Sequence, residues 1–134
     1  MLRYGVTIFL LFSFASSLLA ENAKPTDRYF FSGDGSIRLI NAHTNQSVAI
    51  HYRLPDGTYP AEAHRQIDRL FGVPAGSSDQ ISLRLVSVLD YIEDRYRQPI
   101  EIISGYRSPE YNEGLRAKGR LAAKTSMHIE GMAA

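Results

Sequence analysis

Two short segments of this 134-residue chain carry side chains whose types and spacing suit chemistry. The first is Ser104-Gly105-Tyr106-Arg107-Ser108-Pro109, directly after the apolar run Ile100-Glu101-Ile102-Ile103. A strand that ends in a glycine turn and presents an arginine at a helix start is a place to hold an anion or a carbonyl oxygen. The second is Ser126-Met127-His128-Ile129-Glu130-Gly131-Met132-Ala133-Ala134, where a histidine is followed by Gly131 and small residues that let the backbone pass close to another element. On spacing alone, a surface ion pair for Arg107 and a buried, hydrogen-bonded imidazole for His128 account for the same residues. The other histidines, His43, His51 and His64, read as surface or packing residues.

The elements that must position these segments follow from patterning. Gly33-Asp34-Gly35 is a turn signal. Ser36–Ile40 and Ser47–Arg53 alternate apolar and polar residues around the loop Asn41–Gln46, which predicts a β-hairpin. Pro60 opens a helix whose inner face is Ala63, Ile67, Leu70 and Phe71, stopped by Gly72 and Pro74. Ser77-Ser78-Asp79 offers caps for a second, longer helix with the stripe Ile81, Leu85, Val88, Leu89, Ile92 and Tyr96. Glu93, Asp94, Arg95 and Arg97 are expected on its solvated side. Gln98-Pro99 breaks that helix ahead of a buried strand over Ile100–Ile103. Ser108-Pro109-Glu110 starts a third helix, which runs to about Lys118 with Gly119 as its stop. Gly131–Ala134 reads as the entry to a further core strand. The whole is an α+β fold: an N-terminal hairpin with helices packed on a small antiparallel sheet.

Composition narrows the function classes. The chain has 44% hydrophobic and 22% charged residues and a formal charge of +1, so it is globular and has no basic field for nucleic acid. The absence of cysteine excludes disulfide scaffolds, thiolate metal sites and cysteine nucleophiles. Arg3, the uncharged apolar stretch Val6–Leu19 and Ala20 before a polar break describe a signal peptide over residues 1–20. The apolar run is shorter than the roughly 20 residues of a spanning helix, so export without stable membrane insertion is expected. Removing it takes Arg3 from the 15 Lys+Arg and leaves 14 against 14 Asp+Glu, a charge-balanced domain expected in the periplasm or outside the cell. Residues 21–35 read as a leader and 36–134 as the domain.

Taken together, Ser104-Gly-Tyr-Arg-Ser108, an intervening helix and Ser126-x-His128-x-x-Gly131-x-Ala133 resemble the zinc peptidases of peptidoglycan, the D-Ala-D-Ala carboxypeptidases and dipeptidases. The nearest branch is the murein endopeptidase K-like one, whose members often carry an N-terminal hairpin ending in a DG-type turn, as at Asp56-Gly57 here. The resemblance implies a D-Ala-D-Ala carboxypeptidase or hedgehog-like fold and hydrolysis of stem-peptide or cross-link bonds by zinc-activated water. It implies that His128 is a zinc ligand, that Arg107 polarises the substrate carbonyl or binds a peptide carboxylate, and that Ser126 bonds the substrate or steadies the ligand loop. Tyr106 and Ser108 shape the turn. The family's aspartate ligand, seven residues after the histidine, falls at position 135, so the chain reads as an incomplete copy of a longer enzyme. A non-catalytic envelope protein that binds peptidoglycan without metal is the alternative.

Overall fold

The computed structural model describes residues 31–134; the expected signal peptide and most of the leader lie outside the described residues. Strands β1 (Ser36–Asn41) and β2 (Ser47–His51) form the hairpin, with Ile37 opposite Ile50 and Leu39 opposite Val48. Alternation sends Ile37, Leu39 and Ile50 into the core. Asn41 organises the connecting loop: its Oδ1 accepts from the amides of His43 and Thr44 at 2.9 and 3.0 Å. Its Nδ2 donates to the Leu70 carbonyl at 2.8 Å.

Helix α1 (Ala61–Phe71) buries Ala63, Ile67, Leu70 and Phe71, the face its periodicity predicts. Helix α2 (Leu83–Tyr96) and strand β3 (Ile100–Ile102) follow, then α3 (Pro109–Ala117), capped by Ser108, whose Oγ accepts from the Tyr111 amide at 3.2 Å. The sheet order is β2-β1-β3. The α+β class and the hairpin are as expected, but the sheet is mixed instead of antiparallel throughout, because β3 pairs parallel to β1 with Leu39 opposite Ile100. A parallel partner needs a long crossover, and α1 and α2 supply it. No helix among the described residues is long and apolar enough to cross a membrane.

Three further expectations change. Ser77-Ser78-Asp79 does not cap α2; the helix starts at Leu83, and Ile81 is wholly buried outside it. The helix is also turned about its axis relative to the expected stripe. Its buried residues are Val86, Ser87, Asp90 and Glu93; Leu85 and Leu89 are half-buried, and Ile92 and Tyr96 face outward at 36% and 69% exposure. The cause is polar: Arg38 on β1 directs its guanidinium at the Glu93 carboxylate (Nε at 2.6 Å), and Tyr52 and the Gly35 amide both donate to Asp90. Groups with such partners are buried at lower cost than orphaned ones. Finally, residues 127–131 form a turn, not a strand entry.

Candidate functional site

Arg107 and His128, 21 positions apart in the sequence, are brought together by reciprocal hydrogen bonds. The Arg107 amide donates to the His128 carbonyl at 3.1 Å, and His128 Nδ1 lies 2.8 Å from the Gly105 carbonyl oxygen. A carbonyl oxygen only accepts, so Nδ1 is the donor here, and in the neutral ring that leaves the Nε2 lone pair for another partner. That is the arrangement by which a ligating imidazole is oriented, with one ring nitrogen bonded to the backbone and the other left for a metal.

Two glycines allow the approach. Gly105 sits against α1, where a Cβ would collide with the Phe71 carbonyl; that same carbonyl accepts from the Tyr106 amide at 2.8 Å. Gly131 has φ +63°, and a Cβ on it would strike the Gln80 carbonyl. Its own carbonyl accepts from the Ser82 amide at 2.9 Å. The connection between α1 and α2 therefore braces the site. It is itself tied back to α1, since Asp68 Oδ1 accepts from the Ile81 amide at 2.8 Å and His64 Nε2 donates to the Ile81 carbonyl at 2.7 Å. From the same connection, Asp79 accepts from the Tyr106 hydroxyl at 2.7 Å. This bond pushes the Tyr106 pKa up to about 12 and, together with Ser77, holds the Asp79 carboxyl below its usual value.

Arg107 is half-buried, and its Nη2 donates to Ser104 Oγ at 3.1 Å. It lines a cavity of about 510 Å³ with His43, Ser104, Tyr106, Tyr111 and Arg120. Ser126 is buried, and its Oγ accepts from the His128 amide at 3.3 Å. His43 donates from Nε2 to the Ile103 carbonyl at 2.7 Å and stands at the edge of the same cavity, while His51 bonds Ser36 through Nδ1 at 2.8 Å. Tyrosines, arginines and histidine around one opening suit a peptide that carries carboxylates.

Among the described residues, the group of three metal-type donors is elsewhere: Asp34, Asp90 and Asp94, each with an oxygen within 4.8 Å of the other two. Sequence reasoning missed this group, since no spacing rule joins Asp34 to Asp90 and Asp94, 56 and 60 positions away on α2. No aspartate, glutamate or second histidine joins His128 in such a group among the described residues.

Comparison with known proteins gives concordant results. The family profile described as peptidoglycan L,D-endopeptidase MepK matches residues 32–134. The chain is 30% identical over 105 residues to the peptidoglycan L,D-endopeptidase MepK of Escherichia coli K12, an alignment covering 72% of this chain and 54% of that protein. The MepK of Shigella flexneri matches to the same extent. The chain thus spans about half the length of the curated relatives it matches. No solved structure matches it.

Proposed function

Since the chain belongs to the family of peptidoglycan L,D-endopeptidase MepK, we propose that it serves the hydrolysis of L,D peptide bonds in peptidoglycan, with the Arg107 turn and the His128 loop as its substrate-facing site. The observation that carries this reading is the reciprocal bonding of those two segments, which orients the His128 ring through Nδ1 and holds the Arg107 main chain against that of His128. Arg107 binds a stem-peptide carboxylate or the carbonyl oxygen of the bond under attack, where its charge stabilises the developing oxyanion. Ser126 steadies the loop through the His128 amide, so the ring does not depend on substrate for its orientation.

His128 suits zinc in donor type and in the nitrogen it leaves free, and zinc bound there supplies a Lewis acid and an activated water. A catalytic zinc takes about three protein ligands, of which His128 would be one. Substrate of this kind lies outside the cytoplasm, which accords with export directed by residues 1–20.

The test is release of soluble muropeptides from isolated sacculi by the zinc-supplemented full-length protein, with and without chelator. Chelator-sensitive release that Arg107→Ala abolishes, at unchanged zinc content, is the expected result; release insensitive to chelator overturns the zinc reading. Among the described residues no further donor groups with His128, which favours one second reading, a peptidoglycan-binding protein without hydrolysis. Retention on sacculi in chelator with no muropeptide released selects it.

A further inference from the structure

At the N-terminal end of the hairpin, the Asp34, Asp90 and Asp94 group is a constellation that the peptidase reading leaves unused. Three nearby amides fix it. The Asp34 amide donates to Asp94 Oδ2 at 2.8 Å, the Gly35 amide to Asp90 Oδ2 at 2.9 Å, and the Ser36 amide to Asp34 Oδ1 at 2.8 Å. The carboxylates are thus held in place by backbone before any ligand arrives.

Asp90 points beyond an ordinary solvated acidic patch. It is wholly buried, and while its Oδ2 takes both the Gly35 amide and the Tyr52 hydroxyl, its Oδ1 is buried with no hydrogen-bond partner. A Cβ on Gly33 would strike that carboxylate, so it lies against the backbone of the residue that precedes Asp34. A buried carboxylate oxygen without a partner is costly and calls for an explanation. The nearby Arg38 does not supply one, because its guanidinium is directed at Glu93. Burial pushes the Asp90 carboxyl up to about 6, and the charges of Asp94 and Asp34 push it the same way.

The geometry points to a binding site for a hard divalent cation of the calcium type, held by Asp34, Asp90 and Asp94 and separate from His128. The donors are all oxygen, the set that calcium takes and that zinc, which prefers nitrogen and sulfur, does not select. Oxygens about 2.4 Å from one calcium ion stand no more than about 4.8 Å apart, and these three meet that limit. Calcium accepts irregular geometry and completes its shell with water, which suits two exposed aspartates around one buried one. Occupied, the site fastens the start of β1 to α2.

Calorimetric titration of the chelator-treated full chain with calcium chloride tests this. One saturable site per chain is expected, with a dissociation constant of roughly 0.1–1 mM, as in extracellular calcium modules. The melting temperature rises by several degrees at about 10 mM calcium. Asp90→Asn also disturbs Tyr52, so the deciding variant is Asp94→Asn, at an exposed position. It weakens calcium binding at least tenfold without changing the calcium-free melting temperature. His128→Ala leaves calcium binding unchanged, which separates this site from the peptidase reading. No saturable binding at about 10 mM calcium overturns the site. Undiminished binding by Asp94→Asn, or loss of binding with His128→Ala, overturns it equally.

Discussion

The two ends of the molecule hold their polar side chains by different means. Around Arg107 and His128 the positions are set by main chain: a carbonyl fixes the imidazole, an amide answers it, and two glycines let backbones meet where a Cβ would collide. Around Asp90 they are set by side chains turned inward from α2 to meet Tyr52, Arg38 and the start of β1. The first arrangement tolerates almost no added volume but leaves functional atoms free. The second is packed as closely, since a Cβ on Gly33 or Gly35 would also collide, but there side chains from α2 carry most of the bonds. An orienting scaffold and a stabilising clamp are thus separated within one small domain.

Adding a methyl group and removing a hydroxyl should discriminate between the two. The largest effect is expected at the backbone-built end. Gly131→Ala places a Cβ against the Gln80 carbonyl in a left-handed conformation and should destabilise the chain by about 2–3 kcal/mol, read from the urea midpoint. A loss below about 0.5 kcal/mol, the range of ordinary surface changes, would show that this end is looser than described. Next comes Arg107→Ala, which should weaken retention on sacculi about 10- to 100-fold through loss of a charge-assisted contact, with little change in melting temperature. A matching fall in stability would make Arg107 a structural residue and blur the contrast.

At the other end, Tyr52→Phe removes one of the two donors to Asp90 Oδ2 and should cost about 1–2 kcal/mol by the same denaturation measurement. If this variant cost nothing, the Asp90 cluster would not be a clamp. The smallest effect concerns the Asp79–Tyr106 bond, which is exposed. Asp79 titrates below its unfolded value, so its contribution is present above about pH 4 and fades as acid is added through the lower folded value. Tyr106 titrates above its unfolded value, so its contribution is complete below about pH 10 and is lost as pH rises toward 12. The stability difference between the natural chain and Tyr106→Phe should therefore be flat between those limits and shrink on both sides. A difference that varies with pH inside the window would contradict the assignment.

The same contrast explains what could be read in advance. The hairpin, α1 and α3 follow from local signals: alternation in Ser36–Ile40, the face Ala63-Ile67-Leu70-Phe71, and proline after Ser108. Arg107 and His128 stood out because glycines and a strand end frame them within a few residues. The phase of α2 was not legible. An apolar stripe through Leu85, Val88, Ile92 and Tyr96 is equally regular, and only partners more than 35 residues away in the sequence (Arg38, Gly35 and Tyr52) turn Asp90 and Glu93 inward. The parallel pairing of β3 was hidden for a similar reason: three residues of strand carry no mark of direction. Nor could the bracing role of Asp79 and Ile81 be anticipated, because their partners are main-chain atoms and a tyrosine from other segments.

The reciprocal bonds between Gly105, Arg107 and His128 also close a loop that contains the whole of α3. Opening the loop at either bond frees the helix from the body of the domain, so α3 and the imidazole should come loose as a single cooperative unit. The Arg107 amide then becomes a native reporter: its rate of exchange with heavy water measures how often the His128 main chain parts from the Arg107 turn, without any substrate present.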